Sequence, residues 1–266
     1  MNEVDPLEKK YKKAAKVISS AGILPLPPTD TMVEILKYYL VEEELDFIKK
    51  TFRIKKSLST KQLVRKSKLP EEDAIRLAEQ LAKKGFIFNQ PSSKGIMVYR
   101  LLPLVVIGTF EYTFMQKKPE HMTDEQLKKL AKLYEKLIDE MRDNVQKGYE
   151  NLLPVFQRQP PTDRTIPITE SESGETIEIE INQEISTEEE VLPAQKVEEI
   201  IEKFDDIAVG NCFCRNYRST LGEPCKINAP METCFTFGKS ARHTVKQGFA
   251  RAIDKEEALK ILKEAE

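Results

Sequence analysis

The chain has no tryptophan, only two histidines and only four cysteines in 266 residues. No apolar run is long enough to span a membrane. The longest candidate, from Leu101 to Ile107, is seven residues with Pro103 inside it. The N-terminus, MNEVDPLEKKYKK, is charged and lacks the apolar core of an export signal. An excess of either charge is also missing: 42 Lys and Arg stand against 44 Asp and Glu, a net charge of -2. That balance argues against a bulk nucleic-acid coat protein. Hydrophobic residues at 40% and charged residues at 32% supply a real core and exclude a disordered chain. The expectation is a cytoplasmic protein of one or two domains, without membrane contact.

The few cysteines are concentrated. Cys212, Cys214, Cys225 and Cys234 fall within 23 positions, spaced C-x-C-x10-C-x8-C. The cytosol keeps thiols reduced, so a disulfide framework is not expected, and clustered thiols point to a metal. In an extended Cys-Phe-Cys, both thiolates project to one side. The loop holding Gly222, Pro224 and Pro230 can bring in the other two. Four thiolates suit tetrahedral zinc or an iron–sulfur cubane. Zinc favours two tight C-x(2–4)-C knuckles, which this spacing lacks, whereas a cubane tolerates wider gaps, so a [4Fe-4S] cluster is expected and zinc is the alternative. Arg215, Arg218, Lys226, Lys239, Arg242 and Lys246 place positive charge nearby, with Arg215 and Arg242 expected to tune the potential. Phe213, Phe235 and Phe237 are expected to wall the site from water.

Charge is segregated along the chain. From Lys49 to Arg100 there are 14 basic residues against 4 acidic; from Asp163 to Asp206 there are 15 acidic against 3 basic. The two segments can dock on each other or take separate partners. The basic stretch reads as helix, turn, helix, hairpin. Thr29 and Asp30 cap a helix carrying Leu36, Tyr39 and Leu40, with Leu45 and Ile48 continuing the spacing. Ser59 and Gln62 form a capping box. Glu71 to Lys84 is a helix with Ala74, Ile75, Ala78, Leu81 and Ala82 inward, Leu77 at the edge of the stripe, and a stop at Gly85. Phe86 to Phe88 and Ile96 to Tyr99 flank a turn. This is the winged-helix order.

One long amphipathic helix is expected from Thr123 to Tyr149, ended by Pro154, Pro160 and Pro161, followed by an acidic strand from Thr176 to Ile181. A helix from Pro193, a strand from Ile207 to Gly210, and helices from Ser240 and from Asp254 complete the chain. The fold class is α+β: residues 1–115 a winged-helix domain, 116–190 a long helix, acidic strand and linker, and 191–266 a four-cysteine iron–sulfur cluster domain.

The run VLPAQKVEEIIEKFDDIAVGNCFCR, then Cys225, then PMETCFTFGKSA, then DKEEALKILKEAE resembles a family of 4Fe–4S ferredoxin-type proteins from anaerobes. The likeness covers most of residues 191–266 and, more loosely, the N-terminal half including Gly108-Thr-Phe-Glu111. Members carry an N-terminal winged helix, a C-x-C-R motif, a third Cys, a P-x-E-x-C…F-G segment and a closing E-E-A-L helix. The resemblance implies cluster ligation by Cys212, Cys214, Cys225 and Cys234, and electron transfer with a partner ferredoxin or oxidoreductase. Members usually continue into a C-x2-C-x2-C-x3-C-P ferredoxin portion. This chain stops where that portion begins, so that part is expected past this stretch or on another polypeptide.

Other readings are weaker. Lys61, Arg65, Lys66 and Lys68 suit phosphate contacts, yet the would-be recognition helix opens with Glu71, Glu72 and Asp73, which repel DNA. A redox-sensing DNA-binding regulator is therefore the second hypothesis and a structural zinc module the third. His121 is expected in a polar turn and His243 on an exposed helical face. Glu178, Glu180 and Glu184 are expected on a solvated strand face. No phosphate loop, nucleophile elbow or substrate pocket is legible, which favours an electron-transfer component over a stand-alone catalyst.

Overall fold

The structure is a computed structural model that describes residues 5–22, 27–120, 122–157 and 197–265. The expected acidic strand from Thr176 to Ile181 with Glu178 and Glu180, the adjoining Glu184, the helix start at Pro193 and His121 all lie outside the described residues.

The N-terminal half runs α1 (Pro6–Ser19), α2 (Asp30–Lys37), α3 (Glu42–Thr51), β1 (Ser57–Ser59), α4 (Thr60–Ser67), α5 (Glu71–Lys83), β2 (Ile87–Pro91), β3 (Met97–Leu101), α6 (Thr109–Met115), α7 (Asp124–Lys147) and α8 (Tyr149–Gln157). The remainder is α9 (Val197–Lys203), β4 (Ile207–Asn211), α10 (Phe213–Leu221), β5 (Glu232–Phe237), α11 (Lys239–Gln247), β6 (Arg251–Ile253) and α12 (Lys255–Ala265). Two antiparallel three-stranded sheets, ordered β1-β3-β2 and β5-β4-β6, sit among these helices, an α+β arrangement. Among the described residues no helix is long and apolar enough to cross a membrane.

Local chemistry explains most boundaries. The Thr29 side chain accepts from the Met32 N–H and starts α2. Ser59 and Gln62 exchange both bonds of the capping box at the start of α4. Thr123 and Gln126 do the same for α7. Gly85 takes φ +81°, the left-handed conformation that ends the turn after α5. On α5 the inward stripe is shifted from the expected one: Leu77 is fully buried and Ile75 only partly. The α7 helix does not run straight to the prolines either. It ends at Gly148, and α8 carries Pro154 inside it.

The main core joins α1 to α7 and receives Tyr217 of α10. Tyr217 meets the rings of Phe110 and Phe114 at 5.1 and 5.3 Å. Asn216 Nδ2 donates to the carbonyls of Phe114 at 2.8 Å and Gln116 at 3.0 Å, so α10 is fastened to the C-terminal end of α6. A smaller core gathers Ile201, Ile207, Val209, Ile253, Ala258 and Ile261 behind the second sheet.

His243 corrects the expectation of an exposed histidine. It is 0% exposed, and its ring lies 4.6 Å from Phe88, 5.6 Å from Tyr112 and 6.2 Å from Phe249. Neither ring nitrogen has a hydrogen-bond partner. Burial, with Lys246 adding to it, pulls the imidazole down to about 4.

Candidate metal centre

The strand β4 delivers the first cysteine, as its apolar run implied, and its five residues are all buried. The chain then turns at once into a helix. Cys212 is the N-cap of α10 and Cys214 lies in its first turn. The pair is therefore not extended, as expected, but wound. In a first helical turn backbone N–H groups have no intrahelical acceptor, and the sulfurs use them. The Cys214 thiol donates to the Cys212 sulfur and the N–H groups of Arg215 and Cys214 point at it; with the Arg215 guanidinium these pull the Cys212 thiol down to about 5 against its desolvation. Cys214, holding the shared proton and partly desolvated, is raised.

Cys234 comes from β5, paired across the sheet with Gly210. That pairing needs a glycine: a Cβ at 210 would stand 2.6 Å from Met115 Cγ and 3.0 Å from the Met115 and Phe249 carbonyl oxygens. Burial and the Cys212 charge push the Cys234 thiol up to about 11, while the Phe213 N–H on its sulfur acts the other way. Cys225 lies on the loop between α10 and β5, whose end is held where the Cys212 N–H donates to the Met231 carbonyl at 2.6 Å. The N–H groups of Ala229 and Ile227 lower the Cys225 thiol, and Arg215 adds to this.

Arg215 is thus the common neighbour of Cys212 and Cys225. Its guanidinium is fixed by the Pro230 carbonyl at 2.6 Å and Thr233 Oγ1 at 2.9 Å. Arg242 does not join it. It pairs with Asp206, at the opposite end of β4 from Cys212, because a strand of that length separates its ends by about 13 Å. Arg218 is engaged by Glu135 and Glu223, and Lys246 by Glu79.

The three aromatic walls also divide. Phe213 packs 6.0 Å from Phe110, toward the main core. Phe235 and Phe237 alternate with Cys234 along β5 and so face the other side, against the small core. The expected ring of three phenylalanines is not assembled. In their place Cys234 adjoins Leu102, Tyr112, Met115 and Phe249.

Glu111 is a neighbour that the motif analysis did not single out by charge. Its carboxylate accepts from Val106 N and Gly108 N, both at 2.9 Å, and its charge disfavours ionisation of Cys214 and Cys234. The only local signal was its place three residues after Gly108. The loop it holds has Val106 and Ile107 at φ +68° and +63°, a conformation that β-branched residues resist.

The donor set tests what the site can hold. Three thiols influence one another, a fourth shares Arg215 with Cys212, and backbone N–H groups aim at three of the sulfurs. Soft sulfur donors of this kind fit iron–sulfur or zinc. Among the described residues, however, no three His, Cys, Asp or Glu side chains stand close enough to hold a single metal ion. No family model, curated protein or solved structure matches the chain.

Proposed function

We propose that the chain is an iron–sulfur electron-transfer protein in which Cys212, Cys214, Cys225 and Cys234 hold a [4Fe-4S] cluster. The observation that carries this reading is the mutual influence of the Cys212, Cys214 and Cys234 thiols together with Arg215 beside Cys212 and Cys225, with backbone N–H groups on three sulfurs. A cubane takes one thiolate per iron at its corners, so its ligand sulfurs stand further apart than those around one ion. When bound, such a cluster accepts and releases single electrons. The protein's part is to stabilise the anionic thiolates. Arg215, locked by Pro230 and Thr233, sets a fixed positive charge beside two of them, and the N–H groups stabilise the more reduced state. Cys214 is exposed, which leaves one ligand at the surface for a partner ferredoxin or oxidoreductase. The N-terminal half, with α4, α5 and the β2–β3 hairpin in succession and β1 on the far edge, supports a winged helix acting as scaffold.

The test is iron, zinc and acid-labile sulfide per chain after anaerobic purification, with spectra before and after dithionite. About four irons and four sulfides are expected, with visible absorption that bleaches on reduction. One zinc in a colourless sample overturns the reading. Cys225→Ser and Cys234→Ser variants with unchanged iron would overturn the ligand assignment.

A further inference from the structure

Residues 47–70 contain nine Lys and Arg and no Asp or Glu. Elsewhere acids are interspersed and several bases are matched with them: Lys10 with Glu42 and Asp46, Arg251 with Glu232 and Glu257. Within this stretch Lys49 pairs with Asp46. Among the described residues Arg53, Lys55, Lys61, Arg65, Lys66 and Lys68 have no carboxylate partner. The fold turns them outward. Leu63 and Ser67 are the buried residues of α4, so Lys61 and Arg65 lie on its outer side with Lys68 at its C-cap and the half-exposed Lys66 flanking them, and Arg53 and Lys55 are exposed on the approach to β1. Holding five or six like charges together in one face costs self-repulsion, which an anionic occupant removes.

Position narrows the occupant. α4 rests on β1 and β3, whereas α11 of the cysteine half meets β2, at the other edge of the sheet. An acidic electron carrier on α4 would sit across the N-terminal sheet from the thiols, so electron transfer does not explain the face. Lys61 to Lys68 spans about 10.5 Å of helix, the axial rise of about three phosphates on one strand of a duplex. The neighbouring α5 cannot follow into a groove, because Glu71, Glu72 and Asp73 occupy its first turn.

We infer that the α4 face binds the phosphate backbone of nucleic acid without reading its bases. The inference is independent of the cluster, so the chain binds equally with and without metal. The experiment is fluorescence anisotropy of the full chain with two short duplexes of unrelated sequence. With about five phosphate contacts, log affinity falls with log salt at a slope near -4.5, so raising salt from about 50 to about 200 mM weakens binding about 500-fold. In the triple variant Lys61→Gln, Arg65→Gln, Lys66→Gln the slope becomes shallower by about 2 to 3. The matched control Lys128→Gln, Lys132→Gln on α7 keeps the wild-type slope, and both duplexes bind alike. An unchanged slope in the triple variant overturns the inference, as does a preference for one sequence. Absence of binding at the lowest salt also overturns it, and a synthetic peptide of residues 163–190 that binds wild type but not the triple variant would then assign the face to acidic polypeptide.

Discussion

Acidification should destabilise this protein through one side chain in particular, His243. The ring, carried on α11, is sealed against β2, α6 and the segment after α11 with both nitrogens unpartnered, and burial holds its pKa at about 4 against an ordinary value of 6.5. The folded state therefore disfavours the imidazolium while the unfolded chain accepts it freely. The stabilising effect of the neutral ring is fully present above pH 6.5 and is lost as pH falls toward 4. Each pKa unit is about 1.36 kcal/mol, so the whole window is worth about 3.4 kcal/mol, of which about 2.4 kcal/mol is lost between pH 7 and pH 4.5. The perturbation is His243→Phe, which keeps the ring contacts with Phe88 and Tyr112 and removes the titrating group. Urea unfolding at a series of pH values measures the difference. Wild type should lose about 2.4 kcal/mol more than the variant between pH 7 and 4.5. At pH 7 the variant should be as stable as wild type or more so, since two unpaired polar atoms leave the core. Parallel pH profiles for the two proteins would refute the reasoning.

Four further outcomes follow from the geometry. Gly210→Ala forces a methyl against Met115 and the Phe249 carbonyl and should lower stability by about 1–3 kcal/mol, read from the urea midpoint, and loosen Cys234. Asn216→Ala strips the donor from two carbonyls and should cost about 1–3 kcal/mol in the same assay. Glu111→Ala leaves the Val106 and Gly108 N–H groups without their acceptor; protease cleavage near residue 107 should accelerate while the rest of the chain resists. Ser59→Ala should cost about 1 kcal/mol by thermal melting through loss of the α4 cap.

Signals confined to a few neighbouring residues were readable from the sequence. The Ser59–Gln62 box, the stop at Gly85, the hairpin and the apolar strand before Cys212 all depend on contacts within one turn or one ladder. Where tertiary packing decides, reading failed for identifiable reasons. β1 is three residues, Ser57-Leu-Ser, and exists as a strand because β3 supplies its hydrogen bonds. The face of α5 shifted to bury Leu77 because the fit to its neighbours outweighs the symmetry of an Ala-rich stripe. Cys-Phe-Cys is compatible with an extended chain by its own residue types, but the strand ends where the Met231 carbonyl takes the Cys212 N–H and α10 begins. Arg242 is close to the cysteines in sequence and at the wrong end of a strand in space. The burial of His243 had almost no signal, because α11 offers few large apolar residues and the rings that enclose the histidine come from β2, α6 and the segment after α11.

The grip of Asn216 on the end of α6 spans about a hundred residues of chain. Contacts that distant form late, since a long loop must close before they are made. The N-terminal half, closed by its own distant contacts between the α2 region and α7, emerges first during synthesis and can be in place beforehand. The thiol-bearing helix would then settle onto a surface already built. In such an order the four cysteines spend little time on an uncommitted chain, where stray oxidation or a wrong metal would reach them first.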